Sequence, residues 1–198
     1  MAKLYFKFGA MGCSKTAQAL ITKFNYEERD MKVMLAKPAT DTRDGKSIVR
    51  SRVGLEAEAI VIPSDANVYD MYKNDYSDCR VIIVDECQFL TPEQVDQLAL
   101  IVIDFEIPVL CFGLSTDFLT HLFPGSRRLF EVAQSITEIK SVCKCGSKAT
   151  VNARLDDNGN VVYSGEQVCL GGNDRYVAMC LKCWLKKKAE QEAKGIIS

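Results

Sequence analysis

An apolar run at residues 4–8 passes directly into the glycine-containing loop Gly9-Ala10-Met11-Gly12-Cys13-Ser14-Lys15-Thr16. Phosphate-binding loops follow a pattern of Gly, four free residues and Gly-Lys-Ser/Thr. Their backbone N–H groups surround the phosphates, the lysine neutralises charge and the hydroxyl ligates magnesium. Lys15 and Thr16 match this pattern, whereas Ser14 replaces the second glycine. The stretch, called the phosphate loop below, therefore predicts a strand, a nucleoside triphosphate site and a following helix.

Ser14 is the residue that departs from the pattern. If its backbone must take a positive φ, a side chain costs roughly 1–2 kcal/mol relative to glycine and can also intrude on the phosphates. Gly12, which is unusual at its own place in the loop, can restore some flexibility. We therefore expect a phosphate loop that is strained at Ser14.

A second motif is the apolar run Val81–Val84, which ends in the paired carboxylates Asp85 and Glu86. Phosphoryl transfer needs one carboxylate to position magnesium and another to orient or deprotonate the attacking oxygen. We assign Asp85 to the first task and Glu86 to the second. Residues 85–90 then form the loop at the carboxyl end of a strand, because Thr91 and Gln94 predict a capping box that starts the next helix.

Short apolar runs alternate with helical patterns along the first 140 residues. This alternation predicts an α/β fold with a mainly parallel sheet and helices on both faces. The helix after the phosphate loop should span residues 16–29. The predicted strands cover residues 4–8, 33–36, 59–62, 81–84, 109–112 and 136–139.

The nine cysteines divide into two groups. Two close pairs, Cys143 with Cys145 and Cys180 with Cys183, suit a tetrahedral zinc ion. The other five are expected to be small buried hydrophobes rather than parts of a disulfide framework: Cys13, Cys79, Cys87, Cys111 and Cys169.

The sequence pattern changes after about residue 140, where cysteine pairs and turn residues replace the alternating apolar runs. We expect a nucleotide-binding domain at residues 1–140 and a small zinc-binding domain at residues 141–198. A turn at residues 156–160 separates two strand-like runs, 150–155 and 161–163, which predicts a hairpin in the second domain. A charged helix should follow at residues 184–194.

Composition limits the classes of partner. The chain has 198 residues, 47% of them hydrophobic, and a formal net charge of -1. Sequence-independent nucleic-acid binding depends on neutralising phosphates, so nucleic acid is not an expected partner. There is no run of about 20 apolar residues and no signal-peptide core. We expect a cytoplasmic protein without membrane contact.

Taken together, four elements resemble the thymidine kinases of the cellular, zinc-containing type. They are Gly9-Ala10-Met11 with Lys15-Thr16, Asp85-Glu86-Cys87-Gln88-Phe89, Gly113-Leu114-Ser115-Thr116-Asp117-Phe118 and Gly171-Gly172-Asn173-Asp174-Arg175-Tyr176. The resemblance extends from Lys3 to about Trp184. It implies transfer of the γ-phosphoryl of ATP, with magnesium, to the 5′-hydroxyl of thymidine or deoxyuridine. The product, dTMP, would serve nucleotide salvage.

The resemblance also implies roles for single residues. Glu86 would be the general base, Lys15 the phosphate clamp and Thr16 a magnesium ligand, with Asp85 and Gln88 supporting metal and nucleotide. The implied thymidine site comprises Phe89, Leu114, Phe118, Phe123, Tyr176 and a lasso loop, Gln167, Val168, Cys169, Leu170, Gly171 and Gly172, that binds the base largely through backbone groups. Without the resemblance, we would interpret the apolar residues of this implied site as ordinary core residues.

The family's zinc ligands correspond to Cys143, Cys145, Cys180 and Cys183. Four protein ligands leave no open coordination position, so the zinc would be structural and would hold the base of the lasso. Feedback inhibition by dTTP and a homotetramer are further implications. Asp41 and Arg43 match an element near the phosphates, although a surface turn fits them nearly as well. The lone His121 is expected at the surface.

Two other functions stay open at this point. One is a catalytically impaired homologue that binds nucleotide and acts through a partner. The other is a phosphate-loop ATPase with a nucleic-acid-binding zinc ribbon. Intact Lys15, Thr16, Asp85 and Glu86 weigh against the first, and the near-neutral charge weighs against the second.

Overall fold

The structure is a computed structural model that describes residues 1–40, 47–165, 167 and 176–197. The elements up to residue 138 are, in chain order, β1 (Leu4–Phe8), α1 (Lys15–Glu27), β2 (Val33–Pro38), β3 (Ile48–Arg50), β4 (Glu56–Glu58), β5 (Ile60–Ile62), α2 (Val68–Asp75), β6 (Val81–Val84), α3 (Pro92–Phe105), β7 (Val109–Gly113), α4 (Pro124–Val132) and β8 (Ser135–Glu138). A short 3-10 helix, Cys87–Phe89, follows β6. The remaining elements are β9 (Ser141–Val142), β10 (Lys148–Ala149), β11 (Val151–Arg154), β12 (Tyr176–Met179) and α5 (Leu181–Ala193).

Six strands form one sheet in the order β5-β2-β6-β7-β1-β8, and every neighbouring pair is parallel. The predicted mainly parallel α/β sheet is therefore confirmed. All four residues of β6 are buried, as expected of a central strand covered on both faces. Because the strands are parallel, the loops that follow β1, β6 and β7 lie at one edge of the sheet, where ligands of open α/β folds bind.

Helices cover both faces of this sheet. One buried cluster lies between the sheet and helices α2, α3 and α4, and a second lies on the face of α1. The predicted capping box is present: the Thr91 side chain accepts from the Gln94 N–H, and the Gln94 side chain accepts from the Thr91 N–H. The start of α3 thereby fixes the end of the loop that carries Asp85 and Glu86.

The C-terminal part corrects the predicted hairpin. The turn at residues 156–160 forms, but Val161 makes only an isolated bridge with Leu155. Strand β11 pairs instead with β12. The Val162 N–H donates to the Arg154 carbonyl, so the predicted second strand meets β11 only next to the turn. The N–H and the C=O of Val161 point away from β11 and bind the Gln191 side chain of α5.

Helix α5 begins at Leu181, three residues before the predicted start, because the Cys180 sulfur accepts the Cys183 N–H and caps the first turn. Among the described residues, no helix combines the length and apolarity required to span a membrane. The described cysteines are all free thiols, and Cys13, Cys79, Cys87 and Cys111 are buried as expected, while Cys169 lies outside the described residues.

Candidate active site and zinc cluster

The phosphate loop connects the end of β1 to the first turn of α1. The Lys15 ammonium is buried and donates to the carbonyls of Gly9 and Ala10, at 3.0 Å each. It also lies 3.6 Å from the Cys13 sulfur. The lysine is thus held inside the loop, at the N-terminus of α1, where backbone N–H groups and the helix dipole favour an anion.

Ser14 has the expected strained backbone. Its φ is 65° and its ψ is 26°, in the left-handed region, and it precedes α1 without a side-chain capping bond. Gly12 also has a positive φ, of 76°. The Ser14 side chain is exposed on the loop. Two of the eight loop residues therefore take a conformation that glycine adopts freely, and one of them has a Cβ.

Asp85 lies at the end of β6 and is only 4% exposed. The Thr16 hydroxyl donates to its carboxylate, while Oδ1 has no hydrogen-bond partner. Burial, reinforced by the nearby Glu86 charge, raises the pKa of Asp85 to about 7. A buried carboxylate oxygen that lacks a partner, beside a threonine hydroxyl and an incoming triphosphate, is a donor set that suits Mg²⁺.

Glu86 follows directly and takes a left-handed conformation, with φ 52°. Gln88 Nε2 donates to Glu86 Oε2 at 2.5 Å, and Gln88 Oε1 accepts from the Leu114 N–H at 3.0 Å. A Cβ added at Gly113 would lie 2.6 Å from Gln88 Oε1. The close approach of Gln88 to β7 therefore requires glycine at this position.

The apolar residues of the predicted thymidine site come from two neighbouring loops. Phe89 and Phe123 pack edge to face with centroids 5.7 Å apart. Phe118 is 1% exposed and lies under the Arg154 guanidinium, 3.8 Å from its ring centroid. Phe123 is buried too, whereas Phe89 and Leu114 are partly exposed. The structure brings these residues to the same edge of the sheet as Glu86.

Other predicted residues lie around this edge or outside the described residues. Gln167 donates to Asp117 Oδ2 at 2.9 Å, and Tyr176 is the partly exposed first residue of β12, paired with Arg154. His121 is exposed, as predicted. The predicted residues outside the described part of the chain are Asp41, Arg43, Val168, Cys169, Leu170, Gly171 and Gly172.

The four predicted zinc ligands converge. The Sγ atoms of Cys143, Cys145, Cys180 and Cys183 all lie within 4.8 Å of one another, and those of Cys145 and Cys180 are 3.6 Å apart. A tetrahedral zinc with Zn–S bonds of about 2.3 Å requires sulfurs roughly 3.8 Å apart. The cluster fits such an ion, with four thiolates and no position left for substrate.

Two polar residues at the site were missed by the sequence analysis. Asn152 is 2% exposed and bridges the loops after β1 and β7. Asp117 is 4% exposed and accepts the N–H groups of Leu119 and His121, which closes the turn behind Phe118. The loop motif pointed to the neighbourhood of Asp117, but nothing in the sequence around Asn152 distinguishes it from any polar residue in a strand.

Comparisons with known proteins agree on one family. Residues 2–184 match the family model described as thymidine kinase. The chain is 42% identical over 189 residues to a thymidine kinase of Zymomonas mobilis, covering 94% of this chain and 98% of the relative. It is 46% identical over 182 residues to one of Vibrio vulnificus, covering 91% and 95%. A thymidine kinase of Enterobacteria phage T4 is 44% identical over 186 residues, covering 93% and 96%.

Proposed function

This chain belongs to the thymidine kinase family and phosphorylates thymidine at the expense of ATP, and we propose how its residues divide that work. Glu86 is the general base for the 5′-hydroxyl of the nucleoside. Lys15 and the backbone of the phosphate loop hold the triphosphate. The impaired, non-catalytic homologue is not favoured, because the family match accompanies intact carboxylates and lysine.

The observation that carries this proposal is the buried Asp85, whose Oδ1 has no hydrogen-bond partner. A buried carboxylate oxygen is costly to leave without a hydrogen bond or a cation. We assign Asp85 and Thr16 to Mg²⁺, directly or through its waters. Magnesium bound with ATP would screen the phosphate charges and orient the γ-phosphoryl group. Gln88 supports this arrangement by fixing Glu86.

In the proposed transfer, every proton and electron pair is accounted for. Glu86 accepts the proton of the 5′-hydroxyl as that oxygen bonds to the γ-phosphorus. The bond from the γ-phosphorus to the bridging β-phosphate oxygen breaks, and ADP leaves with the electron pair. Lys15 moves with the phosphates and neutralises charge on the transferring group. The Lys15 ammonium would exchange its hydrogen bonds to neutral loop carbonyls for bonds to charged phosphate oxygens. This exchange is favourable because hydrogen bonds between two charged groups are stronger.

The nucleoside site, in this proposal, is formed by Phe89, Leu114, Phe118, Phe123, Tyr176 and the lasso, Gln167 to Gly172. Phe118 and Phe123 are buried and shape the site from beneath, whereas Phe89 and Leu114 are exposed enough to contact a ligand. Deoxyuridine differs from thymidine by one methyl group, so an apolar pocket of this kind separates the two only modestly. Both are proposed substrates.

We assign a structural zinc to the cysteine cluster. Cys180 directly follows β12, the strand that leads out of the lasso, and Cys143 lies just after β9. An ion there would join the beginning of the small C-terminal part to the first turn of α5. We also propose that this part, residues 141–198, is a domain separate from residues 1–140. Assembly as a homotetramer, feedback inhibition by dTTP and a cytoplasmic location complete the proposal, each on family resemblance.

The test is a product assay with purified protein, magnesium, γ-labelled ATP and a panel of deoxynucleosides. We expect labelled monophosphate with thymidine and deoxyuridine and none with purine deoxynucleosides. The same assay with Asp85→Asn should lose activity at every magnesium concentration. If that variant turned over normally, Asp85 would have no part in holding the metal.

A further inference from the structure

Asn152 connects the two loops that carry the two substrates. Its Oδ1 accepts the Met11 N–H at 2.8 Å, and its Nδ2 donates to the Thr116 carbonyl at 2.9 Å. Met11 belongs to the phosphate loop. Thr116 belongs to the loop Gly113–Phe118, called the nucleoside loop below. One side chain from β11 therefore contacts both loops at the same time.

The chemistry of this bridge suits an amide. Met11 offers a donor and Thr116 an acceptor, and a side-chain amide pairs with both because it carries an acceptor oxygen and a donor nitrogen in one planar group. Asn152 is 2% exposed, so water has little access to replace it. Without the amide, a partly buried backbone N–H and a partly buried C=O would lose their partners together, which is unfavourable.

A further hydrogen bond between the two loops lies at their base. The Gly9 N–H donates to the Gly113 carbonyl, at a long 3.3 Å, where β1 and β7 end. That bond joins the strand ends and leaves the loop interiors apart. On the face of β11 that carries Asn152, Arg154 contacts Phe118 of the nucleoside loop. Strand β11 therefore contacts both loops without belonging to either of them.

Strand β11 is connected through β12 to the four-cysteine cluster. Asn152 faces Ala178 of β12 in the antiparallel ladder, and Met179 at the end of that strand precedes the ligand Cys180. The Thr150 N–H adds a further bond to the Met179 carbonyl at 2.8 Å. The backbone of Asn152 is therefore held by the C-terminal part of the chain, while its side-chain amide binds the two loops.

We propose that Asn152 is a positioning residue that couples ATP binding to nucleoside binding. The proposal rests on the assignment of ATP to the phosphate loop and of thymidine to the nucleoside loop. A ligand that orders one loop fixes the Asn152 amide, and the amide in turn fixes the other loop. The second ligand then pays less conformational entropy, which makes binding cooperative, and the effect is reciprocal.

The experiment is calorimetric titration of thymidine, with and without a saturating magnesium complex of a non-hydrolysable ATP analogue. The coupling factor is the ratio of the two thymidine dissociation constants. For the wild-type chain we expect tighter binding by about fivefold or more when the analogue is present. For Asn152→Leu, which keeps the branching at Cγ but removes both hydrogen bonds, the factor should fall to about one.

Gln191→Met is the matched control. Gln191 is also a buried amide that binds one backbone N–H and one C=O, both of Val161, at 3.0 Å. Its loss should lower thermal stability while leaving the coupling factor unchanged. Zinc content and circular dichroism establish that each variant is folded. If Asn152→Leu does not fold, Asn152→Ser replaces it, since a single short hydroxyl cannot reach both loops.

Two results would overturn the proposal: a wild-type coupling factor of one with both ligands binding, or a wild-type factor retained in Asn152→Leu and Asn152→Ser. A wild-type chain that binds neither ligand would instead contradict the assignment of the two loops, and the proposal would fall with that assignment. Equal loss of coupling in Gln191→Met would show general loosening of the C-terminal part and would also overturn a specific role for Asn152.

Discussion

Gln88 holds Glu86 in place by bonding it across to the neighbouring strand. The amide donates to Glu86 Oε2 and accepts from the Leu114 N–H, so one side chain joins the end of β6 to the end of β7. Glu86 itself has a left-handed backbone, which turns its side chain out of the strand direction. The carboxylate is therefore oriented before any substrate arrives, as the proposed role of general base requires.

Glu86→Gln should fold and bind ATP but transfer the phosphoryl group about a hundredfold more slowly or worse, the usual scale for a positioned base. The control is Glu106→Gln. Glu106 has the same φ of 52°, but it is exposed at the end of α3, away from the site. Single-turnover rates separate chemistry from binding. Near-normal turnover of Glu86→Gln would leave Glu86 a structural carboxylate.

Asp85 makes stability depend on pH in the metal-free protein. Its pKa is raised from 3.8 to about 7, mainly by burial, so the folded chain favours the neutral carboxyl. The stability that this form contributes is complete below the unfolded pKa and is lost as pH rises through about 7. Asp85→Asn lacks this titration.

Urea unfolding of both proteins without magnesium, between pH 4 and 8, checks this expectation. The free energy of unfolding of the wild type should fall relative to that of Asp85→Asn as pH rises, with most of the change below about pH 7. Titrating groups away from Asp85 and its neighbour Glu86 are common to both proteins and cancel in the difference. Parallel curves would contradict a raised pKa at Asp85.

The zinc cluster gives a prediction about metal content. The purified chain should carry about one zinc per subunit. Cys180→Ser should lower zinc content and thymidine affinity together, because Cys180 follows the strand that leads out of the lasso. Cys79→Ser, at a buried cysteine of the main core, is the control and should keep its zinc. Elemental analysis and thymidine titration measure both quantities, and full occupancy in Cys180→Ser would exclude that residue as a ligand.

Local patterns account for most of what the sequence predicted. The phosphate loop, the Asp85–Glu86 pair and the capping box at Thr91 each occupy a few consecutive residues. Their chemistry follows from residue type and spacing, and the parallel sheet follows from the alternation of apolar runs with helices. The four cysteines were found for a similar reason, since each pair is close in sequence and few other roles suit such pairs.

Contacts between distant segments could not be predicted in this way. Asn152 lies 141 residues from Met11 along the chain, and a polar residue in a short strand usually faces solvent. The hairpin prediction identified the turn at residues 156–160 and the bridge back to Leu155, but it missed the strand that pairs with β11 along its length. Both the true partner, β12, and Gln191, which occupies the backbone of Val161, come later in the chain and carry no local mark of these contacts.

Ser14 provides the last prediction, because it combines a left-handed backbone with a side chain in the phosphate loop. Ser14→Gly should remove a strain of roughly 1–2 kcal/mol, partly offset by the greater freedom of glycine in the unfolded chain. If the strain is felt mainly when the loop closes on phosphate, magnesium-ATP should bind up to about tenfold more tightly. Thymidine affinity should hardly change, since its proposed contacts lie on other loops.

Asp30→Gly is the matched control for this change. Asp30 also has a left-handed φ, of 56°, but it lies in the exposed turn after α1, far along the chain from the phosphate loop. Asp30→Gly should become more stable by a similar amount without any change in ATP affinity. If ATP bound more tightly to both variants, the tighter binding would reflect greater stability alone. Titration of both ligands with the three proteins separates the effects. Equal or weaker ATP binding by Ser14→Gly would mean that the loop accommodates the serine, with Gly12 at φ 76° taking up the bend.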